Sequence, residues 1–378
     1  MVNRINISIV TVCFNCVELI EKTVKSVLEQ DYENIEYIVI DGASTDGTCD
    51  VIEKYRDRIA YYVSEKDNGI YDAMNKGIEK ATGELIGFIG AGDWYEDGAI
   101  KAIADTYMLK SADVVYGDVT VVDGSVNKRQ DYGKVSLEDM YYYMPIIHPG
   151  LFVRTRLQKE ERFDTTYKIA ADYKFLMRLY HKGCTFCYAN YGIVYYLLGG
   201  VSSTRLAETI KESRRAAYEV LGNDVADYKV GIETNYLKNM LMCDPTYLEG
   251  DSESMKLSVA YLDKCLESRE VYLWGTGMNA WKCKWVLDKA GIGIKAFIDS
   301  DSTKWGGMFE NVEVIKPQEI VYTARPLIIV TSTKYEEEIK KQISTLYGQG
   351  KMKVICFAEF FGIIAEDVIN RKQMGAFK

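Results

Sequence analysis

Three aspartates in this chain each stand in a short polar, glycine-bearing run. Asp41 opens Asp41-Gly42-Ala43-Ser44-Thr45-Asp46-Gly47, Asp67 opens Asp67-Asn68-Gly69, and Asp93 closes Gly90-Ala91-Gly92-Asp93. Taken singly, each has a simple structural explanation: Asp-Gly and Asn-Gly pairs make turns, and Ser44 to Asp46 suit a helix cap. Their joint placement after successive apolar, strand-like stretches is harder to dismiss. A carboxylate such as Asp41 can hold a ribose or a base edge. An exposed Asp93 on a glycine-rich loop can hold a divalent cation against a diphosphate.

The elements that must position these groups alternate between short β-rich runs and amphipathic helices. Strands are expected at 5–12, 35–41, 61–64 and 84–89, and helices at 17–30, after the turn at Gly47, and at 70–81. Such alternation implies right-handed crossovers and a mainly parallel sheet, with ligands bound outside the carboxyl ends of its strands. From about Leu206 to Leu266 the pattern turns helical and charged. A second strand–helix–strand pattern opens at Val271–Trp274, with strands near Ile294–Asp299, Leu327–Thr331 and Val354–Phe357. The chain thus reads as an α/β domain over 1–205, a helical connector over 206–267 and a smaller α/β domain over 268–378.

The ordered set SIVTVCFN, IVIDGASTDGT, EKDNGIYDAMNKGI and ATGELIGFIGAGDWY resembles the donor half of the family 2 glycosyltransferases, whose fold is of the GT-A type. The resemblance continues through MPIIHPGLFVRT, IAADYKFLMRL and LGGVSS, and so covers about the first 205 residues. It implies that Thr11, Asn15, Asp41 and Asp67 surround the donor nucleotide, that Asn75 packs beneath the site, and that Asp93 is the metal ligand of the family's DxD signature. Gly90, Ala91 and Gly92 stand where carboxylates often precede that aspartate. Mg²⁺ or Mn²⁺ binding then rests on one side chain, phosphate and water, a shell that Mg²⁺ tolerates.

The resemblance also implies that Asp172 is the general base. A carboxylate on the face opposite the leaving diphosphate gives a single displacement with inversion. The same aspartate would suit an N-cap. His148 and Trp94 are candidates to touch the acceptor or diphosphate. A surface place for the histidine is the plainer alternative, whereas His181, late in a helix, calls for no chemistry. The implied activity is transfer of a sugar from a nucleotide sugar, by default a UDP-sugar, to a saccharide or lipid-linked saccharide in surface polysaccharide or glycoconjugate synthesis.

In the last third, Gly275-Thr276-Gly277 joins a strand to a helix, and Asp299 ends the next strand at the separation expected of a ribose-binding acid. This stretch is similar to the small Rossmann-like domains attached to some sugar-modifying enzymes. The glycines allow a tight turn with or without a ligand. A structural, acceptor-positioning or homo-oligomer-forming role is expected of it. Two rivals stand beside the transferase: a nicotinamide-dependent sugar oxidoreductase centred on Gly275 and Gly277, and a non-catalytic sugar-binding scaffold.

Composition narrows the classes. The 378 residues carry a net charge of −9 with no dense Lys/Arg block, which argues against a nucleic-acid partner. No apolar run reaches the roughly 20 residues of a membrane span, and nothing at the start reads as a signal peptide. Nine scattered cysteines fit a reducing cytoplasm. The Cys13–Cys16 and Cys184–Cys187 pairs lie too far apart for a zinc ribbon and read as small hydrophobes. The segment Thr204–Val220, with Arg205, Lys211, Arg214 and Arg215, allows peripheral contact with the inner membrane face, although interspersed glutamates favour a solvated helix.

Overall fold

Strand β1 (Ile7–Cys13) is buried along its whole length, as its unbroken apolar run requires of a strand covered on both faces. It lies between β2 (Ile35–Asp41) and β4 (Leu85–Gly90), and β3 (Tyr61–Ser64) flanks β2, all four parallel. Helices α1 (Val17–Leu28), α2 (Thr48–Glu53) and α3 (Ile70–Lys80) make the crossovers. Ile20, Val24 and Val27 of α1 pack on Ile7, Ile9 and Val39 in one core. The computed structural model describes residues 4–123, 128–250, 269–320, 326–348 and 352–373, and the chain divides into units Met1–Val225 and Ala226–Lys378.

The rest of the first sheet departs from the parallel pattern. It is built from β5 (Trp94–Tyr95), β6 (Val114–Asp123), β7 (Lys128–Tyr132), β8 (Leu151–Arg154) and β9 (Phe186–Leu197), with α4 (Ala99–Lys110) after β5. The strand order is β3-β2-β1-β4-β8-β6-β9-β5, with β7 paired to β6. Strand β8 runs antiparallel to both β4 and β6, and β5 antiparallel to β9, while β6 and β9 are parallel. The sheet is therefore parallel where the nucleotide motifs lie and mixed beyond them. Antiparallel neighbours need no crossover helix, so this half carries fewer of the helices that the sequence pattern relies on.

Helices α5 (Thr155–Glu160), α6 (Ala171–His181), α7 (Val201–Thr204) and α8 (Leu206–Leu221) complete the first unit. Helix α8 packs on α6, so the segment expected as a connector begins inside the first unit. Helix α9 (Val225–Cys243) leads into the second unit, where Leu237 and Leu241 join its core.

The second unit is built on β10 (Val271–Trp274), α10 (Met278–Lys289), β11 (Ile294–Ile298), β12 (Met308–Phe309), β13 (Val312–Ile315), β14 (Leu327–Val330), α11 (Glu336–Tyr347), β15 (Lys353–Cys356) and α12 (Phe357–Gln373). Its order is β12-β13-β11-β10-β14-β15, parallel except for β12. Alternate residues face two cores: Val271 and Leu273 pack with α10 and α12, Tyr272 and Trp274 with Ile339 and Ile343 of α11. No helix among the described residues is long and apolar enough to cross a membrane.

Candidate active site

The loops after β1 and β2 are laced into one surface. Asn15, at φ 45°, donates its backbone N–H to Ser44 Oγ at 2.7 Å and accepts Thr45 N–H at 2.9 Å. Asp46 accepts Val17 N–H at 3.0 Å through Oδ2, and Thr48 N–H and Oγ–H at 3.0 and 2.6 Å through Oδ1. One carboxylate thus serves the N-terminal turns of both α1 and α2, where it also suits the helix dipoles.

Asp41 works beneath that surface. It is fully buried and accepts Ser44 N–H at 2.9 Å, Ser44 Oγ–H at 2.5 Å, Ser64 Oγ–H at 2.6 Å and Cys49 Sγ–H at 3.3 Å. Burial alone would raise its pKa, but these donors outweigh it and hold the carboxyl below its ordinary value. Thr11 is also fully buried, its hydroxyl 3.0 Å from Tyr37 Oη. Neither residue presents a free group at the surface, contrary to the expectation that both line a nucleotide: Thr11 stands in a strand covered on both faces, and the Ser44 turn covers Asp41. Asp67 is half-buried, accepts Gly69 N–H at 2.9 Å, and reaches over Gly42, where a Cβ would stand only 2.6 Å from its Oδ2. Glycine at 42 leaves room for this carboxylate.

Asp93 is buried rather than exposed, at 7% accessibility. Its Oδ1 accepts Leu197 N–H at 2.9 Å and its carbonyl accepts Thr23 Oγ–H at 2.7 Å. Burial lifts its pKa to about 7, with only the Leu197 amide opposing. Trp94 stacks on Tyr195 with centroids 5.0 Å apart and 14° between planes, and Lys22 Nζ sits 2.8 Å above its ring. Tyrosine and lysine thus cover part of the ring that is a candidate to touch the acceptor or diphosphate.

Asp172 is the second residue of α6 and not its cap, which is Ala170. Its Oδ1 accepts Tyr71 Oη–H and Tyr173 N–H, both at 2.9 Å, and its Oδ2 has no partner among the described residues. Burial, reinforced by the Asp172 charge, holds the Tyr71 phenol protonated. His148 is also buried, not at the surface: it stacks on Phe88 at 5.4 Å and meets Phe163 edge-on at 5.7 Å. Burial lowers its pKa against the nearby Asp172 charge, and its Nε2 is unpartnered. Tyr196, its hydroxyl 3.2 Å from Ser202 Oγ, feels the charge of both aspartates. Burial raises its phenol pKa, and the charges of both Asp93 and Asp172 raise it further.

The surroundings of Asp172 come from distant chain segments. Glu212 of α8 accepts the N–H groups of three successive residues, Lys168 at 2.9 Å, Ile169 at 2.8 Å and Ala170 at 3.0 Å. Lys174, almost fully buried, pairs with Asp164 at 2.7 Å and with Glu219. Asn75 holds the Phe163 backbone with two bonds, of 2.9 and 3.0 Å. Glu212, Lys174 and Tyr71 escaped the sequence reading because their partners lie more than 40 positions away or, for Asp164, in an unannounced turn. His181, by contrast, closes α6 and sits 3.3 Å from Tyr141 Oη.

The sheet is parallel where polar groups stand at its strand ends, and with a second carboxylate beyond them it forms an α/β arrangement placed to take a ligand. Residues 8–183 match the model of the family Glycosyl transferase family 2, and residues 267–355 that of C2185-like, N-terminal. An uncharacterized glycosyltransferase of Haemophilus influenzae is 25% identical over 277 residues, 68% of this chain and 84% of its own. A PGL/p-HBAD biosynthesis glycosyltransferase of Mycobacterium bovis is 29% identical over 213 residues, 52% of this chain and 79% of its own. The crystal structure of S. aureus TarS superposes with TM-score 0.50 at 21% identity, covering 68% of this chain and 47% of TarS, a likeness of fold. The protein is a glycosyltransferase, and its match to the family 2 model lies wholly within the first unit.

Proposed function

We propose that the enzyme transfers a sugar from a nucleotide-sugar donor, by default a uridine nucleotide, to a saccharide or lipid-linked saccharide, by single displacement with inversion. The carrying observation is the state of Asp172. Tyr71 and Tyr173 hold one of its oxygens, and the other has no partner among the described residues. Asp172 Oδ2 takes the proton of the attacking hydroxyl, which is a poor nucleophile at neutral pH without a base. The neutral ring of His148, with Nε2 unpartnered, supplies one hydrogen bond to the acceptor or the departing diphosphate. Asn15 and Asp67 line the nucleotide, while Thr11, Asp41 and Asp46 hold the loops that present them.

Among the described residues, no group of three or more His, Cys, Asp or Glu side chains is placed to hold a metal ion. The donor set fits a cation that takes most of its ligands from diphosphate and water, because Asp93 Oδ2 has no partner among the described residues and a cation would offset the burial that raises this carboxyl. Asp93 would hold Mg²⁺ or Mn²⁺, which when bound neutralises charge on the leaving diphosphate.

Surface polysaccharide or glycoconjugate synthesis at the inner membrane face is the setting we favour, in keeping with a relative named for PGL/p-HBAD biosynthesis. We read the second unit as Rossmann-like, with an acceptor-positioning or homo-oligomer-forming role. The test is release of free nucleotide from a panel of nucleotide sugars with Mn²⁺, with and without oligosaccharide acceptors. Turnover of a uridine donor, stimulated by an acceptor and giving an inverted linkage by NMR, is expected. Retention of configuration would overturn the single-displacement mechanism, and turnover of other nucleotide donors alone would overturn the uridine assignment.

A further inference from the structure

Tyr71 stands where two parts of the first unit meet. It is the second residue of α3, directly after the Asp67–Gly69 loop, and its ring packs on Phe163 with centroids 5.5 Å apart. That loop is braced against the same helical turn from both sides. Asp67 Oδ1 accepts Gly69 N–H at 2.9 Å, and Asp72 Oδ2 accepts Asn68 N–H at 2.9 Å. One turn further along α3, Asn75 holds the Phe163 backbone through its two hydrogen bonds. A single helix thus carries both the loop that presents Asp67 and the phenol that meets Asp172.

Packing explains the ring of Tyr71 but not its hydroxyl. A phenylalanine would fill the same space beside Phe163 and bury no polar group in need of a partner. The hydroxyl has one proton and two acceptors in reach: Asp172 Oδ1 at 2.9 Å and the carbonyl oxygen of Ile169. Both acceptors are themselves held, Asp172 Oδ1 by Tyr173 N–H at 2.9 Å and the Ile169 amide by Glu212 at 2.8 Å. Exposure separates the members of the pair. Tyr71 is 5% exposed and Asp172 is half-buried, so the carboxylate is the one open to an incoming hydroxyl.

Two acceptors for one donor matter when a proton arrives. A charged carboxylate is the stronger acceptor, so the phenol proton lies toward Asp172 Oδ1 while that group is ionised. Protonation of Oδ2 makes the carboxyl neutral and a weaker acceptor. The Ile169 carbonyl can then take up the phenol, and the buried hydroxyl stays satisfied in both states.

We propose that Tyr71 is a positioning residue for the transfer: its phenol holds Asp172 Oδ1 so that Oδ2 is left for the acceptor hydroxyl, and it turns to the Ile169 carbonyl once Asp172 is protonated. This rests on the reading of Asp172 as the base. The acceptor oxygen bonds to the anomeric carbon as the bond from that carbon to the diphosphate breaks. The electron pair of the broken bond leaves with the diphosphate, and the proton of the acceptor hydroxyl passes to Asp172 Oδ2. Tyr71 keeps its own proton throughout. Only the direction of its hydrogen bond changes, between partners already in place.

The experiment is a double-mutant cycle on the full chain, with transfer measured for Tyr71→Phe and Asp172→Asn singly and together, and with UDP affinity measured by calorimetry. Tyr71→Phe should lower kcat about 10- to 100-fold, with donor KM and UDP affinity within about twofold of the parent. In the Asp172→Asn background the same change should cost less than about threefold, because a residue that acts through the base has nothing left to position. Fluorotyrosine incorporated in place of Tyr71 keeps the hydroxyl and should keep kcat within about threefold of the parent. Losses that multiply in the double variant would overturn the proposal, as would an unchanged kcat in Tyr71→Phe. A fluorotyrosine loss as large as that of phenylalanine would do the same. So would a Tyr71→Phe chain that fails to fold by circular dichroism, since the hydroxyl would then serve the fold. Parental transfer by Asp172→Asn alone would instead overturn the base assignment on which this proposal rests.

Discussion

The two units solve one geometric problem, the presentation of polar groups past the ends of parallel strands, with different materials. In the second unit the groups are mostly local: a glycine turn, the start of the helix it opens, and one aspartate on the adjacent strand. In the first unit the key groups are side chains whose aim depends on remote segments. Asp172 is held by Tyr71 from 101 positions away, and the turn before it by Glu212 from more than 40. A site made of backbone needs little beyond its own turn. A site made of side chains needs a supporting frame, and productive geometry is lost when that frame shifts. Asp172, the proposed base, should therefore be fragile at a distance, whereas the cavity that the local groups line over α10 should respond mainly to changes within it.

The largest expected effect comes from the carboxylate itself. Asp172→Asn keeps the Tyr71 and Tyr173 contacts within reach but removes the proton acceptor, so transfer should fall about 10²- to 10⁴-fold with donor affinity unchanged. A variant transferring at the parent rate would show that the base lies elsewhere. Next comes the aromatic support. Phe163 is buried and contacts Tyr71, Phe88, His148 and Phe175, and Phe163→Ala should cost about 3–5 kcal/mol in urea unfolding. A loss under about 1 kcal/mol would mean that this frame is not load-carrying, and the contrast between the units would weaken.

Glu212→Gln sharpens the comparison further. It nearly preserves shape but removes the charge that three amides share, so the turn before Asp172 should loosen. A fall of about 10- to 100-fold in kcat is expected, with little change in donor KM. Partial rescue by Glu212→Asp but not by Glu212→Ala is expected with it. Equal losses in kcat and in global stability would reduce Glu212 to a packing role.

The smallest effect is one of pH. Burial would raise the Glu219 carboxyl, but Lys174, Arg215 and Tyr167 outweigh it and hold the pKa down at about 2; Asp164, also paired with Lys174, is held low as well. A carboxyl depressed on folding contributes stability that is fully present above its unfolded pKa and is lost as pH falls through its folded one. The contact of α8 with α6 should therefore be constant at neutral pH and loosen from about pH 4.5 downward toward 2. Hydrogen exchange of α8 amides across that range checks it, and protection unchanged at pH 2.5 would show that the pairs add nothing.

What was legible in the sequence follows the same division. The strand–turn–helix units around Asp41, Asp67 and Asp93, and again around Gly275, announce themselves because each is written within about ten residues. The mixed half of the first sheet does not. Strand β9 mixes polar and apolar residues without clean alternation, and β8 is only four residues long between antiparallel partners. The burial of Thr11, Asp41, Asp93 and His148 was equally hidden, since it depends on what lies over a strand end and not on the strand. Asp46 was readable as a cap, but its service to two helices at once appears only when two loops 30 residues apart meet.

The grip of Glu212 on three amides also bears on exchange of parts between homologous enzymes. Residues 168–170 and helix α8 form one hereditary piece, although more than 30 positions divide them. A chimera that imports a new loop at 168–170 but keeps the recipient's helix would leave either these three donors, two of them part-buried, or one carboxylate without its match, at a cost of about 1–3 kcal/mol for each group left unsatisfied away from water. Crossover points for recombination should therefore fall before the loop and beyond Leu221, so that loop and helix travel together.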